Sequence, residues 1–588
     1  MQISPGLRHT LVRVAPLIGI AISLGVTWWI LIGPIMDSDP WSGFRLYFAN
    51  DQLSYARIAT NVANAGPWFT EPFTQTGTSY YPSLWYFAIG LFSAATGLSV
   101  PSAWTILGVG IVSLMIGVFA VTAWKLSGQW WATLTPALAI TAGTSSSLLQ
   151  GPSFEGFWQT RLDHHAVLWG PFGTLFTLNA EVAATSFVAL GLLAFFLASL
   201  PGTTRPLPLL VTSGLLIGVT GNMQTYAFLT GVFLLATWGT VLVLLRARSR
   251  RLTASTAVIL VVTLASGPLV AEFVAQLATY ACVLLAALPA ALHRFPHRYR
   301  SLLALTVPLA VAASPQLIRT GIGLLSGDAF LAYREASTEN LGVPVVKGLA
   351  AAAIPLLIWF AAWMAPRMTI HFRALLLALP AAAIILVSNN YWGFDQEPYR
   401  FWLQMNTLSL LLLAVAVPAI FAQWYRHRIR YPRRLPAAYL VLTMAGSLYV
   451  TGLGDLFGFW DYAKRQGTIT ATPNPGSDQA ILQSLTQDLD GLVATDPCID
   501  PQVLGLLTPT PVAHYNLGLA WPDDPEALQR FIAARGDGFL DSTAARDAGV
   551  TSLITYPACD SGWQPTPRDG FFPLKSDSGF WLWQSSDG

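Results

Sequence analysis

Charge is the scarcest feature of this sequence. Of 588 residues, 11% are Asp, Glu, Lys or Arg and 53% are hydrophobic. Soluble domains carry about 25% charged residues. A water-soluble globular protein is therefore excluded, and the chain reads as a mainly α, polytopic membrane protein. The net charge of +2 gives no reason to expect nucleic acid as a partner; the arginines inform by position instead. Cysteine is scarce too. Cys282 lies in an apolar run. Cys498 and Cys559 lie in a hydrophilic tail, where a disulfide and two free thiols are both open, the disulfide requiring an oxidising compartment. No Walker loop, dinucleotide fingerprint, zincin motif or nucleophile elbow is present, and no internal repeat. No cleavable-signal pattern is seen; the first apolar run, 11–35, is long enough to span and stay.

What is abundant is apolar sequence. A span needs roughly 20 apolar residues. About 13 spans are expected, near 11–35, 102–124, 130–149, 182–200, 207–221, 224–245, 254–275, 277–292, 301–325, 346–365, 374–390, 402–423 and 435–453. The basic stretches "RARSRR" (246–251), "HRFPHRYR" (293–300), "RMTIHFR" (367–373) and "RHRIRYPRR" (426–434) are read as cytoplasmic loops. They are separated by even numbers of spans and agree with one another. Segment 82–97 would break that parity, but a helix of its length reaches only about 24 Å, short of the ~30 Å hydrocarbon core. It is read as re-entrant or surface-lying. Residues 1–454 then form a transmembrane domain. Residues 455–588 form a small extracytoplasmic α/β domain with helix-like "AILQSLTQDLDGL" and strand-like "GVTSLITYP" and "GFWLWQS".

This layout sends the polar segments 37–81, 150–181, 326–345 and 389–401 to the outer face, where any chemistry belongs. In "NDQLSYARIATNVAN" (50–64), apolar residues recur at helical spacing, as in a short amphipathic helix at the interface. Asn50 or Asp51 would cap it, which by itself accounts for the acid; the other reading is Asp51 as a catalytic group. Gln52 and Tyr55 share this helix. Tyr80, Tyr81 and Trp85 surround a Tyr-Pro turn, as a lipid-boundary belt or as a floor for a lipid-linked sugar. "QTRLDHHAVLW" (159–169) brings Arg161, Asp163, His164 and His165 together. Arg161 with one histidine suits a phosphate. Asp163 with one histidine could meet a divalent cation but offers only two ligands, short of a metal set, so that reading stays open but unsupported and no cofactor is assigned. Glu181 opens a span, where an acid also suits a helix N-terminus. Lys347 reaches a phosphate or snorkels. In "NNYWGFDQEPYRFW" (389–402), Asp395 and Arg400 precede a span; guanidinium holds phosphate in a bidentate way.

These features together resemble the GT-C glycosyltransferases, which use polyprenyl-phosphate sugars. "DQ" (51–52), "YYPSLWYFAIGLFSAATGLSVPSAW" (80–104), "RFWLQMNTLSLLL" (400–412) and, in the tail, "DYAKRQGTITATPNPGSDQAI" and "TPTPVAHYNLGLAWPDDPEALQRFI" are similar to the family of galactan arabinofuranosyltransferases of mycolic-acid-bearing actinobacteria. Segment 150–178 looks like extra sequence relative to that family. The resemblance implies the GT-C fold, inverting transfer, a decaprenyl-phosphate-arabinose donor and a cell-envelope glycan acceptor at the outer face of the plasma membrane. It also implies Asp51 as general base. Arg400 falls in the matching stretch. Nothing in the residues themselves separates arabinose from mannose. A transporter or lipid flippase is the rival of a different class, but such proteins show paired repeats and midplane charges, and here the polar groups gather on one face.

Overall fold

The computed structural model describes residues 5–47, 49–143, 170–336, 369–426, 456–470, 476–559 and 565–586, with positions 453 and 563. In chain order the helices are α1 (Pro5–Ile32), α2 (Ala49–Ala63), α3 (Leu84–Thr96), α4 (Val100–Ser127), α5 (Thr135–Thr141), α6 (Pro171–Thr177), α7 (Ala180–Ser199), α8 (Pro206–Val219), α9 (Thr225–Ala247), α10 (Arg250–Phe273), α11 (Gln276–Leu284), α12 (Leu288–Leu325), α13 (Ala329–Ala336), α14 (Ile370–Val387), α15 (Pro398–Arg426), α16 (Asp478–Thr486), α17 (Pro501–Leu507), α18 (Pro525–Gly536) and α19 (Ser542–Asp547). Contacts divide the chain into two compact units. One comprises 1–34, 109–318 and 335–465; the other comprises 35–108, 319–334 and 466–588.

Among the described residues, nine helical stretches are long and apolar enough to cross a membrane. Two expected spans, 346–365 and, apart from position 453, 435–453, lie outside the described residues, and 130–149 is described only to 143. The expected span 207–221 is a shorter helix, α8, ending in a 3-10 turn. α3 has 13 residues, about 20 Å, which agrees with a segment too short to cross. One expectation changes. The basic stretch 293–300 is not a loop but part of the continuous α12; it has no Gly, Asn or Asp to end a helix, and the helix runs on through Pro296, a residue that ordinarily kinks or breaks one.

Within the first unit, α7 and α15 are the most enclosed spans, with 78% and 83% of their apolar windows buried, against 6% for the α10 window. The helix starts are locally encoded. Asn179 accepts from the amides of Glu181 and Val182 and caps α7, and Gln224 accepts from Ala227 N and caps α9. Gly214 and Gly218 stand one turn apart on α8, and a Cβ at either would strike a carbonyl of α12. Small residues at this spacing let two apolar helices approach closely.

In the second unit, β1 (Gly43–Arg45) pairs antiparallel with β2 (Thr468–Thr470). The tail forms a four-stranded sheet of β3 (Leu492–Thr495), β4 (Val550–Thr555), β5 (Phe571–Asp577) and β6 (Phe580–Ser585), in the order β3-β4-β6-β5. The β3–β4 pair is parallel and the others antiparallel. The expected helix and both expected strands are α16, β4 and β6. Ser578 and Gly579 both have positive φ, +49° and +92°, as a two-residue hairpin loop requires. Alternating side chains of the sheet feed two cores. Val493, Ile554, Phe580 and Leu582 pack with α16, α17 and Phe73. Ala494, Leu553 and Phe571 pack with α18 and α19. Cys498 and Cys559 form a disulfide, with Cα atoms 5.9 Å apart.

Candidate functional site

The helix α2 starts at Ala49, so Asp51 sits in its first turn rather than at the cap. An acid in the first turn is favoured by the helix dipole, and Asp51 is exposed. One turn on, on the same face, Tyr55 stacks between Tyr81 (centroids 5.6 Å, interplanar 22°) and Tyr86 (4.9 Å, 10°). Tyr86 in turn stacks on Trp104 at 5.5 Å. Asp51 thus stands one helical turn from a stack of near-parallel aromatic rings. Ser54 donates to Asn50 O at 2.8 Å and receives Asn516 Nδ2 at 3.1 Å, which fixes this turn against the tail. Gln52 is buried, and its Oε1 has no partner among the described residues. Tyr80 is half-buried and Trp85 is buried at 6% exposure, so the Trp85 ring belongs to the interior. Asp39 is used by its own turn, accepting from Trp41 N and Ser42 N at 3.1 Å each.

The expected amphipathic surface helix is corrected. Gln52, Arg57, Thr60 and Asn61, polar residues that a surface-lying α2 would expose, are all buried. The reason lies far away in sequence. Arg57 Nε donates to Pro72 O at 3.0 Å. Its Nη groups donate to the carbonyls of Gly505 (3.0 Å), Thr508, Pro509 (3.1 Å) and Thr510 (2.7 Å). α2 is thereby bolted to α17 and the loop after it. Gly505 permits the approach: a Cβ there would lie 2.9 Å from the Phe73 ring and 3.3 Å from Arg57 Cδ. Burial lowers the Arg57 guanidinium to about 10, so it stays charged at neutral pH.

Glu71 is the second buried charge that sequence reasoning missed. Its Oε2 accepts from Phe73 N (2.9 Å), Thr74 N (2.7 Å) and Thr74 Oγ1 (2.8 Å). Burial pushes the carboxyl up to about 7, against the opposing hydrogen bonds from Thr74 and Phe73 and the charge of Arg57. The folded state therefore holds a proton that the unfolded chain has released. The stabilisation is present below the unfolded value of 4.5 and is lost as pH rises towards about 7, by up to about 3 kcal/mol. Glu71→Gln is expected to shrink the fall in melting temperature between pH 5 and pH 8. An equal fall in variant and wild type would refute this assignment.

In the first unit a polar cluster surrounds Arg400 at the start of α15. Glu397 contacts Arg400 Nε, and Nε also donates to Tyr399 Oη at 3.1 Å. The Glu181 carboxylate lies 4.0 Å from Nη1. The guanidinium carbon stands 5.3 Å from the centre of the Tyr226 ring, in cation–π range. Gln404 donates to Glu181 Oε1 (3.4 Å) and to Gln224 Oε1 (3.5 Å) and accepts from Thr230 Oγ1 (2.8 Å). The loop before α15 is strained. Asp395 and Glu397 have φ of +48° and +31°, a region that costs a non-glycine residue about 1–3 kcal/mol. Asn389 holds the loop by pairing with both N and O of Gln396 at 3.0 Å. Glu181 and Arg400, candidates from separate segments, are therefore brought together. Arg161, Asp163, His164, His165 and Lys347 lie outside the described residues. Arg319 was unanticipated: it donates to Ser79 O and stacks 3.8 Å over the Phe69 ring. In the sequence it was one more residue of an apolar span.

No protein-family model matches the chain, and no curated protein matches it in sequence. Among solved structures it is similar to the oligosaccharyltransferase of Archaeoglobus fulgidus tethered with an acceptor peptide. The identity is 12% and the TM-score 0.50, over 97% of this chain and 74% of the other. The same organism's AglB, in complex with an inhibitory peptide and a dolichol-phosphate, aligns over the same shares at 14% identity and a TM-score of 0.47. The mycobacterial arabinofuranosyltransferase AftD aligns at 14% identity and a TM-score of 0.43, over 97% of this chain and 42% of that one. At these identities the likeness is one of fold. The chain shares the fold of the tethered Archaeoglobus oligosaccharyltransferase, a mainly α, polytopic membrane architecture, here with a small C-terminal sheet.

Proposed function

We propose that this chain is a membrane glycosyltransferase with a polyprenyl-phosphate sugar as donor and a cell-envelope glycan as acceptor. The finer reading is transfer of an arabinofuranosyl residue from decaprenyl-phosphate-arabinose to cell-wall galactan, with inversion. The observation that carries the reading is an exposed acid, Asp51, on the first turn of a helix whose next turn joins a stack of aromatic rings. Asp51 takes the proton from the acceptor hydroxyl as that oxygen attacks the anomeric carbon. The bond from that carbon to the phosphate oxygen breaks, and the electron pair leaves on the lipid phosphate. The phosphate departs without needing a proton, so one carboxylate suffices. Arg400 stabilises the charge that grows on the phosphate.

The outer face of the plasma membrane is the proposed location. The Cys498–Cys559 disulfide supports it, because such bonds persist in oxidising compartments. Asp51 and this disulfide belong to the same compact unit. The test is a transfer assay on the purified full-length chain in lipid, with radiolabelled decaprenyl-phosphate-arabinose and a galactan acceptor. Arabinose should be transferred with inverted configuration. Arg400→Ala should lower kcat/KM by about 10²–10³-fold. Transfer of mannose from its polyprenyl phosphate, and not of arabinose, would overturn the sugar assignment alone. No transfer from any polyprenyl-phosphate sugar would overturn the reading.

A further inference from the structure

Glu181 is oddly chosen as a neighbour for a phosphate-binding arginine. A carboxylate there competes with the ligand for the same guanidinium edge. The structure shows how the competition is arranged. The Nε side of Arg400 is occupied by Glu397 and Tyr399. Glu181 approaches the Nη side at 4.0 Å, longer than a direct hydrogen bond. Glu181 is itself held in place. Its amide is capped by Asn179, its Oε1 receives Gln404, and Gln404 is fixed by Thr230. The first turn of α7 also favours a negative charge at this position. The Glu181 carboxyl is therefore held beside the guanidinium edge that a phosphate would take in bidentate fashion, where it competes as an anion when ionised.

We propose that Glu181 discriminates between the two lipid phosphates of the reaction, favouring the singly charged phosphodiester donor over the doubly charged phosphomonoester product. This rests on the reading of Arg400 as the ligand of the donor phosphate. A phosphate oxygen on the Nη groups lies within roughly 4–6 Å of the Glu181 carboxylate, where like charges repel appreciably in a partly desolvated site. The diester carries one negative charge. Once the sugar has left, the monoester carries up to two, and the repulsion from Glu181 rises in proportion. Arg400 still stabilises the charge developing in the transition state, while Glu181 hastens departure of the spent lipid phosphate. Product release of this kind limits turnover in many enzymes. Glu181 is a positioning and selectivity residue here; it takes no part in bond making.

The test measures binding of farnesyl monophosphate and of its methyl diester to the full-length protein in lipid nanodiscs at pH 8. Wild type should prefer the diester. Glu181→Gln keeps an oxygen for Gln404 and removes the charge; it should tighten the monophosphate about tenfold and the diester about threefold or less. Glu181→Ala removes the charge by a different shape and should show the same selective gain. Product inhibition by the monophosphate should deepen in parallel. Arg400→Ala should lose both probes. If Arg400→Ala binds both as wild type does, the phosphate role of Arg400 fails and takes this inference with it. If Arg400→Ala loses both probes but the Glu181 variants bind them with unchanged preference, or more weakly, the inference about Glu181 alone is overturned.

Discussion

Asp51→Asn is expected to reduce glycosyl transfer by about 10²–10⁴-fold, the range a positioned general base contributes. Binding of the donor lipid and the thermal stability should stay near wild type. The substitution is nearly isosteric, and Asp51 is exposed, so little packing is lost. Its first-turn dipole interaction is worth only about 0.3–1 kcal/mol. That separates the two roles open to this acid from the start. If Asp51 served only the helix, Asn would be close to neutral for activity, since it too tolerates helix starts. A chemical role appears in kcat, with the donor affinity preserved. The measurement is kcat and KM of the variant beside its melting curve. Transfer within a few fold of wild type would remove Asp51 from the mechanism. The same assay on Gln52→Ala gives a contrast, because Gln52 is buried and its loss should show in stability as well.

How far the sequence speaks depends on the range of the interaction. Apolar runs of span length became helices because that pattern is local, and so did the tail's β6, with its alternation of buried Phe580 and Leu582 against exposed Trp581. The acid at the head of α2 was legible for the same reason. The partners of that helix were not. Arg57 and Asn61 stood at spacings that fit a polar surface, yet Asn61 donates to Pro72 O at 2.7 Å and Arg57 reaches carbonyls some 450 residues on. No periodicity records such pairings. The same holds for Arg400 and Glu181, each plausible alone and 219 positions apart as 400 − 181. Their meeting is a matter of how α7 and α15 pack. The Cys498–Cys559 pairing stood open until the β3–β4 pairing brought the loops after those strands together. The continuity of α12 through a basic stretch shows the converse error: the charge rule gives a side of the membrane, and says nothing about whether the backbone breaks there.

The largest effect on stability is expected from Arg57→Met. The side chain fits the same channel and removes every donor. Five carbonyls lose a donor; Asn61 still serves Pro72 O and Gln75 still serves Pro509 O, so those of Gly505, Thr508 and Thr510 are left unmet where Arg57 itself is fully enclosed. Each buried acceptor left unmet costs about 1–3 kcal/mol. With partial relaxation the sum is about 3–5 kcal/mol, among the larger effects of a single substitution. Removal of the guanidinium also strips Glu71 of the nearby positive charge. Arg57→Lys should recover only part of the loss, since one ammonium cannot serve five divergent acceptors. The measurement is limited proteolysis of the full-length protein with thermal melting. In Arg57→Met the chain between 466 and 588 should become cleavable at a temperature where wild type resists. The phosphate binding proposed for Arg400, which belongs to the other unit, reports whether the damage is confined. A melting temperature within a few degrees of wild type would mean that the α2–α17 junction is held by its apolar contacts, Phe73 against Leu504 among them, and that the arginine merely fills its channel.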